Sequence, residues 1–385
     1  MRIAVLGAGA MGSAAARLLA RHDDVELLVL DSDAARAEMV AADAAGASAL
    51  TAEARSIDIL SPDLMEALRG VQAVAACIPY RLNLPVMEAA LAAGCAYADL
   101  GGLFHTTLKQ WALHDRFRAA GVPAVMGIGS APGITNVLAR AGADRLDTVT
   151  SVDCLNGAVD PTGGFGVPYS AETIIDEFTL PAMIFEDGEM KEVPAATGAI
   201  RHAFPDPIGE QEAFYTLHSE AATLPRTIDG VRDVRWRLAL PRALTEGFAL
   251  LTQLGLTDTE PLETSTGTVV PRELLLKLLS RLPSPDAVPQ DVEAVEVIVE
   301  GTKGGRAATF TGTTMFHPTP EGIGAGTFGT AIPIAVCARW MAEGRVEPGV
   351  HPPENAFDAE AFLEALVDEG VEVSSRVEER YERTG

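Results

Sequence analysis

A glycine-rich turn directly after the first apolar run restricts the fold of this chain more than any other feature. Residues 2–6 read Arg-Ile-Ala-Val-Leu, and Gly-Ala-Gly-Ala-Met-Gly follows at 7–12 before an alanine-rich helical segment. Between a strand and a helix, such glycines permit a tight turn, close approach of a diphosphate and close helix packing. The helix N-terminus adds free N–H groups and partial positive charge. We predict cofactor contacts from Gly7, Ala8, Gly9, Ala10, Met11 and Gly12; the alternative is a tight turn without a ligand.

Apolar segments alternate with helical segments through the first third of the chain. This alternation predicts βαβ units around a parallel sheet, as in a Rossmann domain. The predicted strands are 2–6, 25–30, 56–60, 71–78, 96–100 and 124–127, and the predicted helices are 11–21, 33–45, 62–68, 84–93 and 106–120.

The pattern changes after Asn136, where strands and helices no longer alternate strictly. We therefore predict an α/β fold in which a Rossmann domain (1–135) precedes an α+β domain with a mixed or antiparallel sheet (136–324). The C-terminal helices (325–385) are predicted to pack back on the first domain, with a frayed charged tail at 374–385. The predicted later strands are 148–156, 233–240, 292–300 and 307–315, and the predicted helices are 170–179, 241–254, 271–281, 325–344 and 357–369.

Two acidic residues follow predicted strands on one side of the glycine turn. Asp31 ends the second strand, where a carboxylate hydrogen-bonds the adenosine ribose. A carboxylate there repels a 2′-phosphate, which favours NAD over NADP. Arg36 lies a few residues further on, so NADP stays an alternative. Asp31 has an alternative role as a helix cap. Asp58, at the end of the third strand, is predicted to lie beside the adenine.

Other candidate cofactor contacts lie at the carboxyl ends of later strands, because ligands of open parallel sheets bind in that crevice. Asn136 follows Pro132-Gly133 at a helix start, where it could contact the nicotinamide ribose or carboxamide or, alternatively, cap the helix. The remaining candidates of this kind are Cys77, Ile78, Pro79, Leu100 and Gly101.

Charge and composition exclude several classes of partner. The 385 residues include 54 acidic and 29 basic side chains, for a net charge of −25. Such a field repels nucleic acids and anionic membranes. No apolar run reaches the roughly 18 residues of a membrane span. Four scattered cysteines and unclustered histidines predict reduced thiols, a cytoplasmic location and no metal site.

Three motifs together resemble one known family, the saccharopine dehydrogenase-like proteins, and within it most closely the lysine 6-dehydrogenases. They are Asp-Leu-Gly-Gly at 99–102, Ala-Pro-Gly-Ile-Thr-Asn at 131–136 and Gly-Val-His-Pro-Pro-Glu at 349–354. The resemblance implies a Rossmann domain, an α+β catalytic and dimerisation domain, and a homodimer. It also implies NAD-dependent deamination of the lysine side-chain amine. The segments 217–220 and 330–333 are more similar to the saccharopine-forming branch, so the substrate remains open.

Amine oxidation requires a group that takes a proton from the nitrogen. His218 beside Glu220 is the best candidate, although a lone histidine is often structural. Asp99 is a second candidate, to hold a substrate ammonium or orient water; its alternative role is to fix the backbone at the sheet edge.

A substrate α-carboxylate would require a bidentate guanidinium. Arg226 is our first candidate, ahead of Arg235, Arg237 and Arg306. Arg235 and Arg237 share a strand face with Asp233, so an ion-pair face is the alternative for them. Lys303 in Gly-Thr-Lys-Gly-Gly lacks phosphate-loop spacing, and we predict a hairpin turn there.

Three functions remain open from the sequence. The first is a lysine 6-dehydrogenase. The second is a reductase that joins an amine to an aldehyde or keto acid, which should have more converging arginines for a dicarboxylic fragment. The third is a sensor that binds NAD without turnover.

Overall fold

A computed structural model of the chain describes residues 1–46, 51–161, 169–265, 267–282 and 288–380. Within these ranges, no helix has the length and apolar character needed to cross a bilayer. The predicted loop at 160–168 lies almost entirely outside the described residues.

The first part of the chain alternates strands and helices as predicted. Its elements are β1 (Arg2–Leu6), α1 (Ala10–Leu19), β2 (Glu26–Asp31), α2 (Ala34–Ala45), β3 (Thr51–Ser56), α3 (Asp63–Ala67), β4 (Ala73–Ala76), a 3-10 turn (Tyr80–Leu82), α4 (Asn83–Ala93), β5 (Ala96–Asp99), α5 (Leu103–Trp111), α6 (His114–Ala120), β6 (Pro123–Val125) and α7 (Ile134–Asp144).

The second part is richer in antiparallel strands. Its elements are β7 (Thr148–Val159), α8 (Ala171–Thr179), β8 (Ala182–Glu186), β9 (Glu189–Val193), β10 (Thr197–Phe204), β11 (Gly209–Tyr215), α9 (Glu220–Thr227), β12 (Asp233–Ala239), α10 (Arg242–Gln253), β13 (Leu262–Thr264), β14 (Gly267–Val269), α11 (Pro271–Leu279), β15 (Val292–Lys303), β16 (Arg306–Phe316), α12 (Ala325–Ala342), β17 (Gly349–His351), α13 (Pro353–Ala356), α14 (Ala359–Asp368) and β18 (Glu372–Glu379).

The first sheet is a seven-stranded parallel sheet in the order β17-β6-β5-β4-β1-β2-β3. Its central strands, β4, β1 and β5, are mainly apolar and almost entirely buried, as expected for a sheet covered by helices on both faces. Strand β1 has β2 on one side and β4 on the other. The strand order therefore reverses at β1, directly before the glycine turn. This reversal creates the crevice where ligands of such sheets bind, and the predicted Rossmann domain is confirmed.

The second sheet is mixed, as predicted, with a main path β10-β11-β12-β7-β15-β16-β18. Strands β12 and β7 are parallel, whereas β7, β15, β16 and β18 pair antiparallel in sequence along the sheet. The predicted turn at Lys303 is the hairpin between β15 and β16, where Lys303 pairs with Arg306. Helix α7 packs on one face of this sheet, where Leu138 and Phe310 share a core.

Several regions differ from the sequence-based expectation. Strand β3 is Thr51–Ser56 rather than 56–60, because this edge strand is exposed on one face and only half-buried, through Ala52 and Ala54, on the other, so it carries no apolar run. The region 182–215 forms two hairpins that the sequence analysis did not predict. Residues 372–379 form β18 on the edge of the second sheet, so the expectation of a frayed tail from 374 was wrong for its described part.

The C-terminal segment connects the two sheets. Helix α12 packs on α1, β4 and β5 of the first sheet. Strand β17 then joins the first sheet beside β6, and β18 joins the second beside β16. The chain therefore crosses between the sheets repeatedly, which fixes the geometry of the cleft between them.

Candidate active site

The glycine turn between β1 and α1 has the shape required for a diphosphate. A Cβ atom on Gly7 would lie 2.4 Å from the Cys77 carbonyl oxygen, and one on Gly12 would lie 1.7 Å from the Gly7 oxygen. A Cβ on Gly9 would meet nothing within 4 Å. Helix α1 has no acidic residue in its first turn and no side-chain cap. The open side of Gly9 and the free N–H groups of α1 therefore fit a diphosphate.

Asp31 braces this turn from the end of β2. Its Oδ2 accepts a hydrogen bond from the Ala8 N–H at 2.6 Å, and its Oδ1 accepts from the Asp33 N–H at 2.8 Å. The cap of α2 is Asp33 rather than Asp31, because Asp33 accepts from the Arg36 N–H. Asp58 is exposed beyond the neighbouring strand, where it accepts from the Leu60 N–H. Both carboxylates lie at the predicted adenosine end of the crevice.

Substitution of Asp31 by alanine is expected to weaken NAD binding about 5- to 100-fold, since a hydrogen-bonding carboxylate contributes roughly 1–3 kcal/mol. The affinity for NADP should fall less, because the repulsion of its 2′-phosphate is also removed. Titration of each cofactor by nicotinamide or protein fluorescence measures both values. Asp33→Ala is the matched control, because that carboxylate caps α2; equal NAD affinity in wild type and Asp31→Ala would contradict the placement of the ribose.

Two predicted site residues have side chains whose hydrogen-bonding capacity is already used. Asp99 is fully buried and accepts from the Gly101 and Gly127 N–H groups, the Tyr97 hydroxyl and the Gln110 amide. Burial raises its pKa, although these four hydrogen bonds oppose the rise. The four hydrogen bonds use the lone pairs of the carboxylate, so none is left to bind a ligand. The prediction that Asp99 holds an ammonium or orients water is therefore replaced by its alternative role at the sheet edge. Asp99 fixes the backbone at the ends of β5 and β6.

Asn136 is the second of these residues. Its Oδ1 accepts from the Gly133 N–H and the Thr135 hydroxyl, and its Nδ2 donates to Thr223 and Glu354. The amide is only 1 % exposed, so it has no atom available for a nicotinamide. Asn136 caps α7 from within its first turn and connects α7 to α9 and α13, so the predicted cofactor contact is corrected to this internal role.

His218 and Glu220 form a buried pair between the two sheets. The His218 Nδ1 lies 2.5 Å from the Glu220 Oε2, and the Glu220 Oε1 accepts from the Thr135 hydroxyl at 2.8 Å. The imidazole stacks on Trp236 with 4.1 Å between ring centroids. Burial lowers the pKa of His218, but the carboxylates of Glu220 and Glu177 outweigh it and raise the pKa above its ordinary value. Among the described residues nothing hydrogen-bonds the His218 Nε2, so that nitrogen can exchange a proton with a substrate.

Two further carboxylates lie in this region: Glu177 acts on His218 itself, and Glu293 lies near Tyr169, the hydrogen-bond partner of Glu177. Glu177 on α8 is buried and accepts from the Tyr169 hydroxyl at 2.7 Å. Burial raises the pKa of Glu177 to about 7, against the opposing effect of His218 and Tyr169. Glu293 on β15 accepts from Ser130 at 2.6 Å and Asn156 at 2.8 Å, and burial raises its pKa as well. The cluster His218, Glu220, Glu177 and Glu293, which we call the carboxylate cluster, is suited to a cationic amine.

Replacement of Glu177 by glutamine is expected to stabilise the protein in alkaline solution. The pKa of Glu177 is about 7 in the folded state, above the ordinary value of 4.5 that applies to the unfolded chain. Between pH 4.5 and pH 7 the folded state therefore binds more protons than the unfolded state, and the free energy of unfolding falls as pH rises through this range. The amide removes this loss, which we expect to be about 1–3 kcal/mol near pH 8 and close to zero below about pH 4.5. Chemical denaturation of both proteins at the two pH values measures this difference in stability. A variant less stable than wild type near pH 8 would show that burial does not disfavour the ionised form of Glu177.

Hydrogen bonds connect the residues that follow β4, at the cofactor crevice, to helix α8 of the second domain. Tyr80, just beyond β4, donates to the Asp176 Oδ2 at 2.8 Å, and Arg272 of α11 donates to the Asp176 Oδ1 at 2.6 Å. Cys77, Ile78 and Pro79 lie between β4 and Tyr80, and the Cys77 N–H bonds the Leu6 carbonyl at 2.8 Å. The ends of β1 and β4 are thereby held against α8, which carries Glu177.

The predicted arginines do not join this cluster. Arg226 is exposed at the end of α9, about 9 Å along the helix axis from Glu220, and its guanidinium lies over Trp111. Arg235 and Arg237 pair with Asp153, and Arg237 also contacts Tyr215. Arg306 pairs with Glu379 at the sheet edge. The predicted carboxylate-binding role of Arg226 is therefore corrected to a surface contact, whereas the ion-pair alternative describes Arg235 and Arg237.

The sequence analysis missed Tyr80, Tyr169, Asp176, Glu177 and Glu293. One signal for Glu177 was present, because Ile174, Glu177 and Phe178 have the i, i+3, i+4 spacing of a buried helix face. A carboxylate on such a face requires a partner or a function. The other four become recognisable only once the strands and helices are placed.

Comparison with known proteins identifies the family of this chain. Residues 3–125 match the model of the saccharopine dehydrogenase NADP binding domain, and residues 129–371 match that of the saccharopine dehydrogenase C-terminal domain. The carboxynorspermidine synthase of Vibrio cholerae is 26% identical, with 96% of each chain covered. The carboxyaminopropylagmatine dehydrogenase of a Synechocystis species is 24% identical, again with 96% of each chain covered.

A solved structure shows the same fold. Apo saccharopine dehydrogenase (L-Glu forming) from Saccharomyces cerevisiae superposes with a TM-score of 0.77 at 15% identity, covering 98% of this chain and 99% of that one. The fold and the glycine turn define an NAD(P)-dependent dehydrogenase. The chain belongs to the saccharopine dehydrogenase family and acts on an amine donor; the family resemblance in the motifs is confirmed.

Proposed function

We propose that the protein uses NAD(P)H to join the primary amine of a diamine or polyamine to an aldehyde, by reducing the imine that the two form. The observation that carries this proposal is the buried His218–Glu220 pair inside the carboxylate cluster, whose Nε2 has no hydrogen-bond partner among the described residues. The names of the two relatives, which refer to carboxylated polyamine compounds, support an amine of this class.

The first chemical step is the deprotonation of the amine. An alkylamine arrives as an ammonium ion, which the carboxylate cluster attracts, because buried carboxylates favour a cation beside them. Only the neutral amine has a lone pair that can attack a carbonyl. His218 takes the proton at Nε2, and Glu220 at Nδ1 stabilises the resulting imidazolium.

The second step is the loss of water. His218 returns the proton to the hydroxyl of the carbinolamine, so that water leaves and a protonated imine remains. A bound reduced nicotinamide supplies hydride to the imine carbon, which gives the secondary amine. Overall, one amine, one aldehyde, one NAD(P)H and one proton give one secondary amine, one NAD(P)⁺ and one water. Stacking on Trp236 keeps the imidazole in place throughout.

The charge balance of the site favours this reaction over deamination of lysine and over a dicarboxylic partner. Within the described residues, the arginines predicted to bind carboxylates are exposed or paired with Asp153 and Glu379. A diamine has no carboxylate to bind, whereas lysine has one. A dicarboxylic keto acid would require two such cationic partners and an aldehyde with a single carboxylate only one, so we propose the aldehyde.

Oxidation of NAD(P)H with matched sets of substrates tests the proposal. The amines are 1,3-diaminopropane, putrescine, agmatine and lysine, and the carbonyl compounds are glyoxylate, succinic semialdehyde and 2-oxoglutarate. We expect loss of reduced-nicotinamide absorbance only when a diamine and an aldehyde are both present. Formation of NADH from lysine and NAD alone would instead establish a lysine 6-dehydrogenase, and binding without turnover of any pair would establish a sensor.

The cofactor and the compartment are part of the proposal. The carboxylate of Asp31 supports NAD, whereas the matched family model is that of an NADP binding domain. The same assay with each cofactor decides between them. All four cysteines are free thiols, which supports a reducing, cytoplasmic compartment.

A further inference from the structure

Two of the motifs that resemble the saccharopine dehydrogenase-like family meet beside the His218–Glu220 pair. One of them opens α7, and the other leads into α13. Their last residues, Asn136 and Glu354, are buried and joined by a hydrogen bond of 2.9 Å. Thr135 of the first motif donates to Glu220 at 2.8 Å. The two motifs therefore form a buried polar layer that holds one member of the pair.

The Thr135 hydroxyl has one hydrogen and two acceptors within reach. Its Oγ1 lies 2.8 Å from the Glu220 Oε1 and 3.2 Å from the Asn136 Oδ1. Thr135 and Glu220 are both 0% exposed, so solvent offers neither of them another partner. A hydrogen bond to an ionised group is roughly twice as strong as one between neutral groups. The hydroxyl therefore donates to Glu220 whenever that carboxylate is ionised.

The amide of Asn136 has a fixed orientation. Its Nδ2 donates to the Glu354 Oε2 at 2.9 Å and to the Thr223 Oγ1 at 3.2 Å, and its Oδ1 accepts from the Gly133 N–H at 3.1 Å. If the amide were reversed, its oxygen would face the Glu354 carboxylate and its NH₂ group would face the Gly133 N–H. Asn136 therefore presents only an acceptor to Thr135.

We propose that Thr135 is a positioning residue that keeps the proton shared by the pair on His218 rather than on Glu220. The pair can hold this proton as an imidazolium beside a carboxylate or as a neutral imidazole beside a carboxylic acid. In the first arrangement the carboxylate gains the charge-assisted hydrogen bond from Thr135. In the second, the acid donates to Thr135 and the hydroxyl turns to Asn136, so that both bonds join neutral groups. The hydroxyl therefore favours the imidazolium.

The imidazolium is the form that the reaction requires. This inference rests on the proposed function, in which His218 returns a proton from Nε2 to the hydroxyl of the carbinolamine. An imidazolium releases a proton near neutral pH, whereas a neutral imidazole is a far weaker acid. A proton that moved to Glu220 would leave His218 neutral, and water would leave the carbinolamine more slowly. Thr135 thus acts on the chemistry through Glu220, without touching the substrate.

The other charged groups near the pair do not decide where the proton lies, because a negative charge near both residues favours protonation of either one. Glu177 raises the pKa of His218, and it also interacts with the charge of Glu220. The titratable groups around the pair are Asp176 and Glu177 on α8, Asp153 and Cys154 on β7, and Glu354 on α13. Within the described part of the chain, only His218 and Thr135 hydrogen-bond the Glu220 side chain, so Thr135 distinguishes the two arrangements.

Nitrogen-15 NMR of the full chain with labelled histidine tests the position of the proton without substrate. In wild type, below the pH at which His218 titrates, both ring nitrogens should have the chemical shifts of protonated nitrogens. Thr135→Val keeps the shape of the side chain but removes the hydroxyl. In this variant the Nδ1 shift should move toward the unprotonated value while Nε2 stays protonated. Thr135→Ser should restore the wild-type shifts, and His218→Asn identifies the signals.

Thr223→Val is the matched control, because Thr223 is a buried threonine of the same polar layer that hydrogen-bonds Asn136 rather than Glu220. This variant should lose stability as Thr135→Val does, but it should retain the His218 shifts of wild type. Unchanged shifts in Thr135→Val, or the same change of shifts in Thr223→Val, would overturn the proposal.

Kinetics add a second readout. With an amine and an aldehyde that wild type couples, Thr135→Val should lower kcat about 10- to 100-fold, with the KM for NAD(P)H unchanged and the activity regained in Thr135→Ser. A kcat equal to that of wild type would overturn the proposal. If wild type couples no amine to an aldehyde, the proposed function fails, and the nitrogen shifts still decide where the proton lies.

Discussion

Substitution of Gly9 by alanine will lower the affinity for NAD(P)H by at least about 100-fold, equivalent to roughly 3 kcal/mol, while the thermal unfolding temperature stays close to that of wild type. The backbone of Gly9 has φ of −76°, which alanine adopts without strain, and its Cβ would meet nothing within 4 Å. The added methyl group costs the fold little. It does occupy the space through which a diphosphate reaches the N–H groups of α1.

Gly12→Ala is the contrasting variant in the same turn. Its Cβ would lie 1.7 Å from the Gly7 carbonyl oxygen, so the turn between β1 and α1 must open. We expect this variant to be destabilised as well as unable to bind cofactor. Calorimetric titration with NADH and NADPH, together with thermal unfolding, separates the two effects. A Gly9→Ala protein that binds both cofactors as wild type does would show that the diphosphate does not lie at this turn.

Substitution of His218 by asparagine will lower kcat by about 10²- to 10⁴-fold, the usual contribution of a general acid–base residue, with the Kd for NAD(P)H unchanged. The imidazole can take a proton from an amine and return it near neutral pH, and its Nε2 has no hydrogen-bond partner among the described residues, whereas the Glu177 carboxylate already accepts from Tyr169. Removal of the imidazole also leaves Glu220 buried without its partner, so this variant should be less stable than wild type.

Two further variants separate chemistry from stability. Glu220→Gln keeps a hydrogen-bonding group beside Nδ1 but removes the charge that raises the pKa of His218, so the kinetic pKa of this group should move to lower pH. His202→Asn is the matched control. His202 also pairs with a buried glutamate, because its Nε2 lies 2.9 Å from the Glu296 carboxylate. Glu296 is three positions from Glu293 along β15, so the two glutamates lie on opposite faces of the sheet. A similar loss of kcat in His202→Asn would mean that only stability was affected.

The sequence allowed the first domain to be predicted well because its signals are local. A buried strand, a glycine turn and a helix follow one another within the first twenty residues, and each is recognisable from its neighbours. Strand β3 was misplaced because an edge strand gains little from burial, so its alternation of alanine with polar residues gave a weak signal.

The site was predicted less completely, because the state of a polar side chain depends on partners distant in the sequence. The motifs placed Asp99 and Asn136 at the correct strand end and helix start. However, Gly127 and Gln110 saturate the carboxylate of Asp99, and Glu354 occupies the amide of Asn136. The His218–Glu220 pair was predictable because the two residues are separated by a single residue in the sequence. Glu293 was not, since it reaches Ser130 and Asn156 across two other elements.

The most direct measurement follows hydride from the cofactor into the product. With NAD(P)H deuterated at one face of C4, a diamine and a carboxylated aldehyde, mass spectrometry should find a secondary amine one mass unit heavier for one face and unlabelled for the other. Its deuterium should be on the carbon that came from the aldehyde. A coupled product without label from either face, or oxidation of the amine with no carbon–nitrogen bond formed, would contradict imine reduction at this site.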